Sequence, residues 1–103
     1  MVVAEISIAP LGTETTSVSR YVAAAVEALE ASGLKCSLGP MGTTVEAESV
    51  EEVYAALAKA QAAIFEMGIE RAYTVVKMDE RRDSSRSSAD MVSAVRENIE
   101  GTR

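Results

Sequence analysis

A short stretch between two turns carries the first group of residues that could do chemistry. Pro40 is followed by Met41, Gly42 and Thr43, and Glu46 comes three residues later. Gly42 permits backbone conformations that other residues resist, and a strand entered from a tight turn holds a hydroxyl and a carboxylate rigidly. Alternation along the strand puts Glu46 on the face opposite Thr43. Two interpretations fit this stretch, a site for a small polar ligand and an ordinary hairpin with an exposed glutamate.

A second group of charged residues lies at the end of the last predicted strand. Lys77 and Asp79 alternate onto one face, and Arg81 and Arg82 follow them. Arginine offers a planar fork of donors that suits phosphate, so this segment could meet a ligand or a subunit interface. The alternative is a charged loop in contact with water only.

A third group surrounds the start of the first predicted helix. Pro10 to Thr13 is a loop of small and polar residues, and Ser17 precedes Tyr21 by about one helical turn. Hydroxyls and backbone N–H groups at a helix start can bind an anion or a polar ligand, although no phosphate-loop motif is present. The alternative is a helix capped by Thr16 or Ser17, with Tyr21 as a core residue.

The composition excludes several classes of site. The 103 residues include no His and one Cys, so a Ser-His-Asp triad, a Cys-His pair and an imidazole metal site are all excluded. A single Cys suggests a reducing compartment, and Cys36 is expected to be an inert, buried thiol. No segment is apolar enough to span a membrane and no signal peptide is evident, so we expect a cytoplasmic protein without a metal or other cofactor.

The charge is divided unevenly along the chain. The formal net charge is −6, with ten acidic and three basic residues in 1–70 against six acidic and seven basic residues in 71–103. An acidic chain repels phosphate backbones, so we expect no nucleic-acid partner. The acidic first part is compatible with a cationic small molecule.

The elements that position these groups follow from periodicity and turn residues. Strands are predicted at 2–9, 34–38, 43–48 and 72–79, the first ended by Pro10 and the middle two joined as a hairpin. Helices are predicted from residue 18 to a stop at Gly33 and from a Ser49/Glu52 capping box to a stop at Gly68. A polar loop at 80–88 leads through a weak Ser87/Asp90 box to a short last helix that Gly101 closes.

This order predicts an α+β fold. Strand, helix, strand, strand, helix, strand is the ferredoxin-like βαββαβ arrangement, here as a single domain over 1–103. Right-handed crossovers place the first two helices on the same face of a four-stranded antiparallel sheet, and the short C-terminal helix follows. The other face, with a mixture such as Val3, Glu5, Tyr73, Val75 and Lys77, stays uncovered, which predicts a homo-oligomer.

Three stretches in the same order resemble the small thiamine-binding protein family, an uncharacterised, YkoF-like group. The stretches are 9–13 followed by 17–22 (APLGT, then SVSRYV), 40–46 (PMGTTVE) and 77–83 (KMDERRD). The family usually has K-I-D-D-R at the last stretch, and Met78 and Glu80 are conservative replacements here. The resemblance covers nearly the whole chain.

The resemblance implies a ferredoxin-like fold, dimers joined by their sheets and often paired into tetramers, and binding of thiamine or its pyrimidine part without catalysis. On this basis Ser17, Tyr21, Met41, Gly42, Thr43 and Glu46 are expected to bind the ligand. Glu46 would face the exocyclic amine or the thiazolium, Thr43 and Ser17 would bond polar atoms, and Tyr21 or Met41 would pack on a ring. Lys77, Asp79, Arg81 and Arg82 are expected at an interface or secondary site.

Three function classes compete at this point. The first is a cytoplasmic thiamine binder that carries, buffers or senses its ligand. The second is a regulatory or scaffold module that binds another small metabolite or a protein. The third is an enzyme, which would need Glu, Asp, Lys, Tyr or Cys as its acid, base or nucleophile.

Overall fold

The computed structural model describes residues 1–101 as a four-stranded sheet with three helices. The elements in chain order are β1 (Val2–Leu11), α1 (Ser19–Ala31), β2 (Lys35–Leu38), β3 (Thr43–Ala47), α2 (Val50–Phe65), β4 (Arg71–Glu80) and α3 (Ser88–Gly101). The predicted hairpin, its turn and the two long crossover helices are all confirmed.

The sheet has the order β2-β3-β1-β4, and every neighbouring pair is antiparallel. The two strands joined by α1 are therefore separated by β3, and the fold is ferredoxin-like, as predicted. The hairpin register pairs Leu38 with Thr43. The four residues between them turn tightly, with the Gly39 N–H donating to the Gly42 carbonyl at 2.9 Å.

The core lies between one face of the sheet and the helices α1 and α2. Every second residue of β1 and β3 points into it, as the alternation predicted. Its most deeply buried large side chains are Leu29, Ile64, Val2, Val45 and Val53. Tyr21 is buried too, which confirms its place on the apolar stripe of α1.

Strand β1 runs further than the sequence suggested. Pro10 does not end it, because β1 pairs with β4 along its whole length, from Val2 to Leu11. With β3 it pairs only from Val2 to Ile6. Pro10 therefore lies where β1 has a strand on one side only, and a residue without an N–H is tolerated at such an edge.

The first two helices begin in different ways. At α2 the predicted capping box is confirmed, since the Glu52 N–H donates to Ser49 Oγ at 3.3 Å and the Glu52 carboxylate accepts from the Glu48 N–H. At α1 the prediction of a Thr16 or Ser17 cap is wrong. Val18 is the N-cap residue and makes no side-chain cap.

Helix α3 is not short, since it has 14 residues, one more than α1. Its start carries a complete capping box, with the Asp90 N–H donating to Ser87 Oγ at 3.1 Å and the Ser87 N–H donating to Asp90 Oδ2 at 2.9 Å. No residue along Ser88–Gly101 is buried, and its apolar side chains Val92, Val95 and Ile99 are exposed.

The outer face of the sheet is uncovered over much of its area. Tyr73 is 60% exposed and Val75 is 50% exposed on β4. Within residues 1–101, no helix has the length and apolar character needed to cross a membrane.

Candidate functional site

A cavity of about 240 Å³ opens beside the turn that joins β2 to β3. Its walls are α1, the middle of β1 and the turn itself, and most of its lining is apolar. The lining side chains include Ile6, Ile8, Val18, Val22, Val26, Leu38, Pro40 and Met41. Met41, Gly42 and Thr43, three of the six predicted ligand-binding residues, all line it.

Thr43 supplies a hydroxyl to this otherwise apolar cavity. The residue is only 4% exposed, and its side chain makes no hydrogen bond within residues 1–101. No side-chain nitrogen or oxygen in that range is both fully buried and without a partner, so the Thr43 hydroxyl keeps some accessible surface, and Thr43 lines the cavity. An unpaired polar group in an apolar wall favours a ligand that can hydrogen-bond to it.

The edge of β1 forms a second polar wall. Ser7, Ile8 and Ala9 line the cavity, and they lie just beyond Ile6, the last residue of β1 that pairs with β3. Backbone groups of this segment that point away from β4 therefore have no strand beside them. Such an edge offers N–H donors and C=O acceptors in a fixed alternation.

Gly42 brings the turn against β1. A Cβ atom on Gly42 would lie 3.0 Å from Glu5 Cγ and 3.3 Å from the Ile6 carbonyl oxygen, so a larger residue would require these neighbours to shift by a few tenths of an ångström. Glu5 lies on the outer face of the sheet, as Glu46 does, and does not line the cavity. Its exposed carboxylate is next to Gly42 at the turn and forms no ion pair among residues 1–101. The sequence reasoning assigned Glu5 only to the open face, because its approach to Gly42 depends on the pairing of Glu5 with Thr44.

Glu46 lies elsewhere, on the outer face of the sheet. Its side chain is 8% exposed, it accepts a hydrogen bond from the Ser88 N–H at the start of α3, and Lys35 Nζ is 3.8 Å from its other oxygen. The Ser88 N–H is the main reason that the pKa of Glu46 is lowered, and Lys35 adds to this effect. Glu46 lines none of the cavity and acts as an anchor for α3.

Ser17 and Tyr21 are also separated from the cavity. Ser17 is exposed and its N–H donates to Thr15 Oγ1 at 3.1 Å. Tyr21 lines a different and larger cavity, where its hydroxyl accepts from Arg20 at 3.1 Å. The six predicted ligand-binding residues therefore do not share one pocket, and Ser17, Tyr21 and Glu46 are not brought together with Met41, Gly42 and Thr43.

The second charged group forms local pairs at the opposite end of β4. Arg81 makes two hydrogen bonds to the Asp83 carboxylate, and Arg82 lies 3.4 Å from Glu80. Asp79 and Arg81 line a small hollow under α3, whereas Lys77 is exposed on the outer face. The guanidinium groups of Arg81 and Arg82 are therefore already hydrogen-bonded to carboxylates of this chain.

The single thiol, Cys36, was expected to be buried but is only partly buried in the structure. Burial, helped by the nearby Glu30 charge, raises the pKa of Cys36, so little thiolate forms at neutral pH. Its sulfur donates to the Leu34 carbonyl at 3.4 Å.

The sequence of this chain is similar to those of known proteins. The model of a family described as thiamine-binding protein matches residues 4–96. The UPF0045 protein of Methanothermobacter thermautotrophicus is 44% identical over 99 residues, which cover 96% of this chain and all of that protein. A UPF0045 protein of Bacillus subtilis is 35% identical, over 97% of this chain and 99% of that protein.

Solved structures give the same fold. A hypothetical protein from Methanocaldococcus jannaschii superposes with a TM-score of 0.84 at 34% identity, covering 93% of this chain and 96% of its own. A Thermotoga maritima protein, whose name proposes a role in thiamine biosynthesis or salvage, superposes with a TM-score of 0.77 at 22% identity. It covers 91% of this chain and 97% of its own.

Proposed function

Because this chain belongs to the thiamine-binding protein family, we propose that it binds thiamine, or its pyrimidine part, in the cytoplasm and without catalysis. The ligand site is the cavity lined by Met41, Gly42 and Thr43. The free thiol of Cys36 is consistent with a reducing compartment.

The observation that carries this proposal is that an apolar cavity is bordered by two sets of polar groups without hydrogen-bond partners from a neighbouring strand or side chain. The Thr43 hydroxyl and the free backbone edge at Ser7–Ala9 border the same space. An aminopyrimidine is flat and apolar on its faces, with nitrogen acceptors and an amine donor around its rim. The volume of about 240 Å³ is below the ~300–1,000 Å³ of sites for whole drug-sized ligands, so it suits one ring rather than all of thiamine.

Glu5 offers a charge for the part of thiamine that stays outside. The thiazolium ring carries a permanent positive charge, and the Glu5 carboxylate is exposed beside Gly42 at the turn. An exposed ion pair contributes about 0.2–1 kcal/mol, so the pyrimidine contacts dominate the affinity.

The direct test is calorimetric titration of thiamine and of hydroxymethylpyrimidine into the protein and its Thr43→Val variant. Valine keeps the shape and removes the hydroxyl, and a neutral hydrogen bond of about 0.5–1.5 kcal/mol predicts a loss of roughly two- to tenfold for both ligands. Thr74→Val is the matched control, because the Thr74 hydroxyl donates to Gln61 and Thr74 does not line the cavity.

Comparing thiamine with hydroxymethylpyrimidine separates the contribution of Glu5 to the affinity from that of Thr43. Glu5→Gln should weaken thiamine by up to about fivefold and leave uncharged hydroxymethylpyrimidine unchanged. If thiamine and hydroxymethylpyrimidine gave no heat and no melting shift, the proposal would be wrong, and a module for another metabolite would replace it. Turnover of thiamine during the titration would contradict the absence of catalysis.

Self-association is the second part of the proposal, and the second copy covers the outer face of the sheet. The exposed Tyr73 and Val75 form an apolar area there, and apolar area rimmed by polar residues is typical of interaction surfaces. Light scattering of the protein at micromolar concentration should give a multiple of 10.9 kDa. Val75→Asp should shift it toward the monomer, and a monomer mass for the unchanged chain would refute self-association.

A further inference from the structure

A second cavity beside the start of α1 has a different chemistry from the cavity at Thr43. It measures about 960 Å³ and lies between the loop that follows β1 and the loop that precedes β4. Gly12 turns the first loop at a φ of +81°, a conformation that side chains rarely adopt. Tyr21 and Met67 line it together with polar and charged residues.

Two arginines from separate elements line this cavity. Arg20 comes from α1 and Arg71 from the start of β4, and neither guanidinium has a carboxylate oxygen within 4.0 Å among residues 1–101. Arg81 and Arg82 differ from them, since both pair with acids near them in the chain. In a chain of net charge −6, two arginines without an acid partner are available to an outside anion.

Arg20 is held in place by its neighbour. Its guanidinium carbon lies 4.9 Å from the centre of the Tyr21 ring, and one of its N–H groups donates to the Tyr21 hydroxyl. A guanidinium has five N–H donors, so others stay free. The Tyr21 hydroxyl accepts this bond and keeps its own proton to donate.

The loop adds another donor. Thr15 Oγ1 accepts from the Ser17 N–H, which leaves the Thr15 hydroxyl proton available. Thr13 is different, because its hydroxyl already donates to the Thr15 carbonyl at 2.7 Å. The cavity is therefore lined by two arginines and two hydroxyl side chains that have hydrogen-bond donors left for an anionic ligand.

Two carboxylates line the same cavity and narrow the class of ligand. Glu14 and Glu70 are exposed, and they form no ion pair with the arginines or with other described cations. Their charge repels a polyanion such as pyrophosphate or a nucleic-acid backbone. It favours a molecule that carries a positive group next to its anionic one.

We propose that this cavity binds a small zwitterion, with a phosphate or carboxylate group on Arg20 and Arg71 and an amine or quaternary cation toward Glu14 or Glu70. The site is separate from the cavity at Thr43 and does not depend on thiamine binding. A ligand with only one charged group would interact favourably with either the two arginines or the two glutamates, and not with both pairs.

The test compares inorganic phosphate with phosphoethanolamine, which adds one ammonium group, by calorimetry on the full chain. Phosphoethanolamine should bind several-fold more tightly. Arg71→Gln should weaken both probes by roughly tenfold, because hydrogen bonds to charged groups are lost. Arg96→Gln on α3 is the matched control, since Arg96 does not line the cavity.

The glutamates give the sharper readout. Glu14→Gln and Glu70→Gln should weaken phosphoethanolamine and strengthen phosphate, each by about two- to fivefold, because the same charge attracts one probe and repels the other. Equal affinity for the two probes, or an Arg71→Gln variant that binds like the Arg96→Gln control, would overturn the proposal. Thr43→Val should not alter either probe, so failure of thiamine to bind is distinguishable from failure here.

Discussion

The two faces of the sheet differ in how completely the chain covers them. The inner face is covered by α1 and α2, and Val2 and Val45 on it are fully buried. The outer face has Tyr73 and Val75 exposed, and α3 lies over only part of it, with no buried residue of its own. There Met91 and Val95 line a hollow with Val3, and the Ser88 N–H donates to Glu46. The stability of the single chain therefore comes from the inner face, and the outer face is available for association.

The largest expected effect is in the core between the inner face of the sheet and the helices, where Ile64 of α2 lies. Ile64 is fully buried, so Ile64→Ala should lower the free energy of unfolding by about 2–5 kcal/mol. Val75→Ala should cost less than about 1 kcal/mol at protein concentrations where the chain is monomeric, because half of that side chain is already in water. Urea unfolding at several protein concentrations measures both. Equal losses would remove the distinction between the faces.

Variants of the helix caps test whether α3, which has no buried residue, contributes less to global stability than α2, which packs on the core. Ser49→Ala should cost about 1 kcal/mol of global stability, because α2 packs on the core. Ser87→Ala removes an equivalent cap but should leave the urea midpoint unchanged and raise amide exchange only along α3. A global loss after Ser87→Ala would mean that α3 is part of the cooperative unit.

The smallest effect concerns acid. The folded-state pKa of Glu46 is below its ordinary value of 4.5, so its contribution is complete above pH 4.5 and is lost as the pH falls through the folded pKa. The pKa of Asp90 is lowered in the same direction by the Ser87 N–H. Protection of the Ser88 amide, corrected for intrinsic exchange, should therefore fall as the pH drops below the ordinary value of 4.5 and through the lowered pKa of Glu46.

Glu46→Gln provides the control for this acid effect. Glutamine still accepts a hydrogen bond but has no charge to lose, so the variant should show weaker protection at pH 6 and a smaller dependence on pH. A Ser88 amide with the same pH profile in both proteins would assign the acid effect to Asp90 instead.

Much of the fold could be predicted because it depends on short-range patterns. The Ser49 and Ser87 boxes involve residues three positions apart, and the hairpin strands follow period-two alternation around a turn with two glycines. The α1 cap failed for a similarly local reason. The helix begins at Ser19, so the N-cap position falls on Val18, which has no side-chain acceptor.

The candidate site could be predicted only in part, because it depends on register and on distant contacts. Met41, Gly42 and Thr43 are neighbours in sequence, so they were found together. Glu46 was expected beside them, but Ser88, 42 residues away, binds its carboxylate. The free edge of β1 follows from the shorter length of β3, which alternation alone does not predict.

The unequal lengths of β1 and β3 also affect the behaviour of the protein at high concentration. A bare strand edge can add a strand from another molecule and start the growth of fibrils. Pro10 stands within the unpaired part of β1 and has no N–H to give to an incoming strand. The part of β1 that extends beyond β3 therefore borders the cavity and also contains a proline that opposes aggregation through this edge.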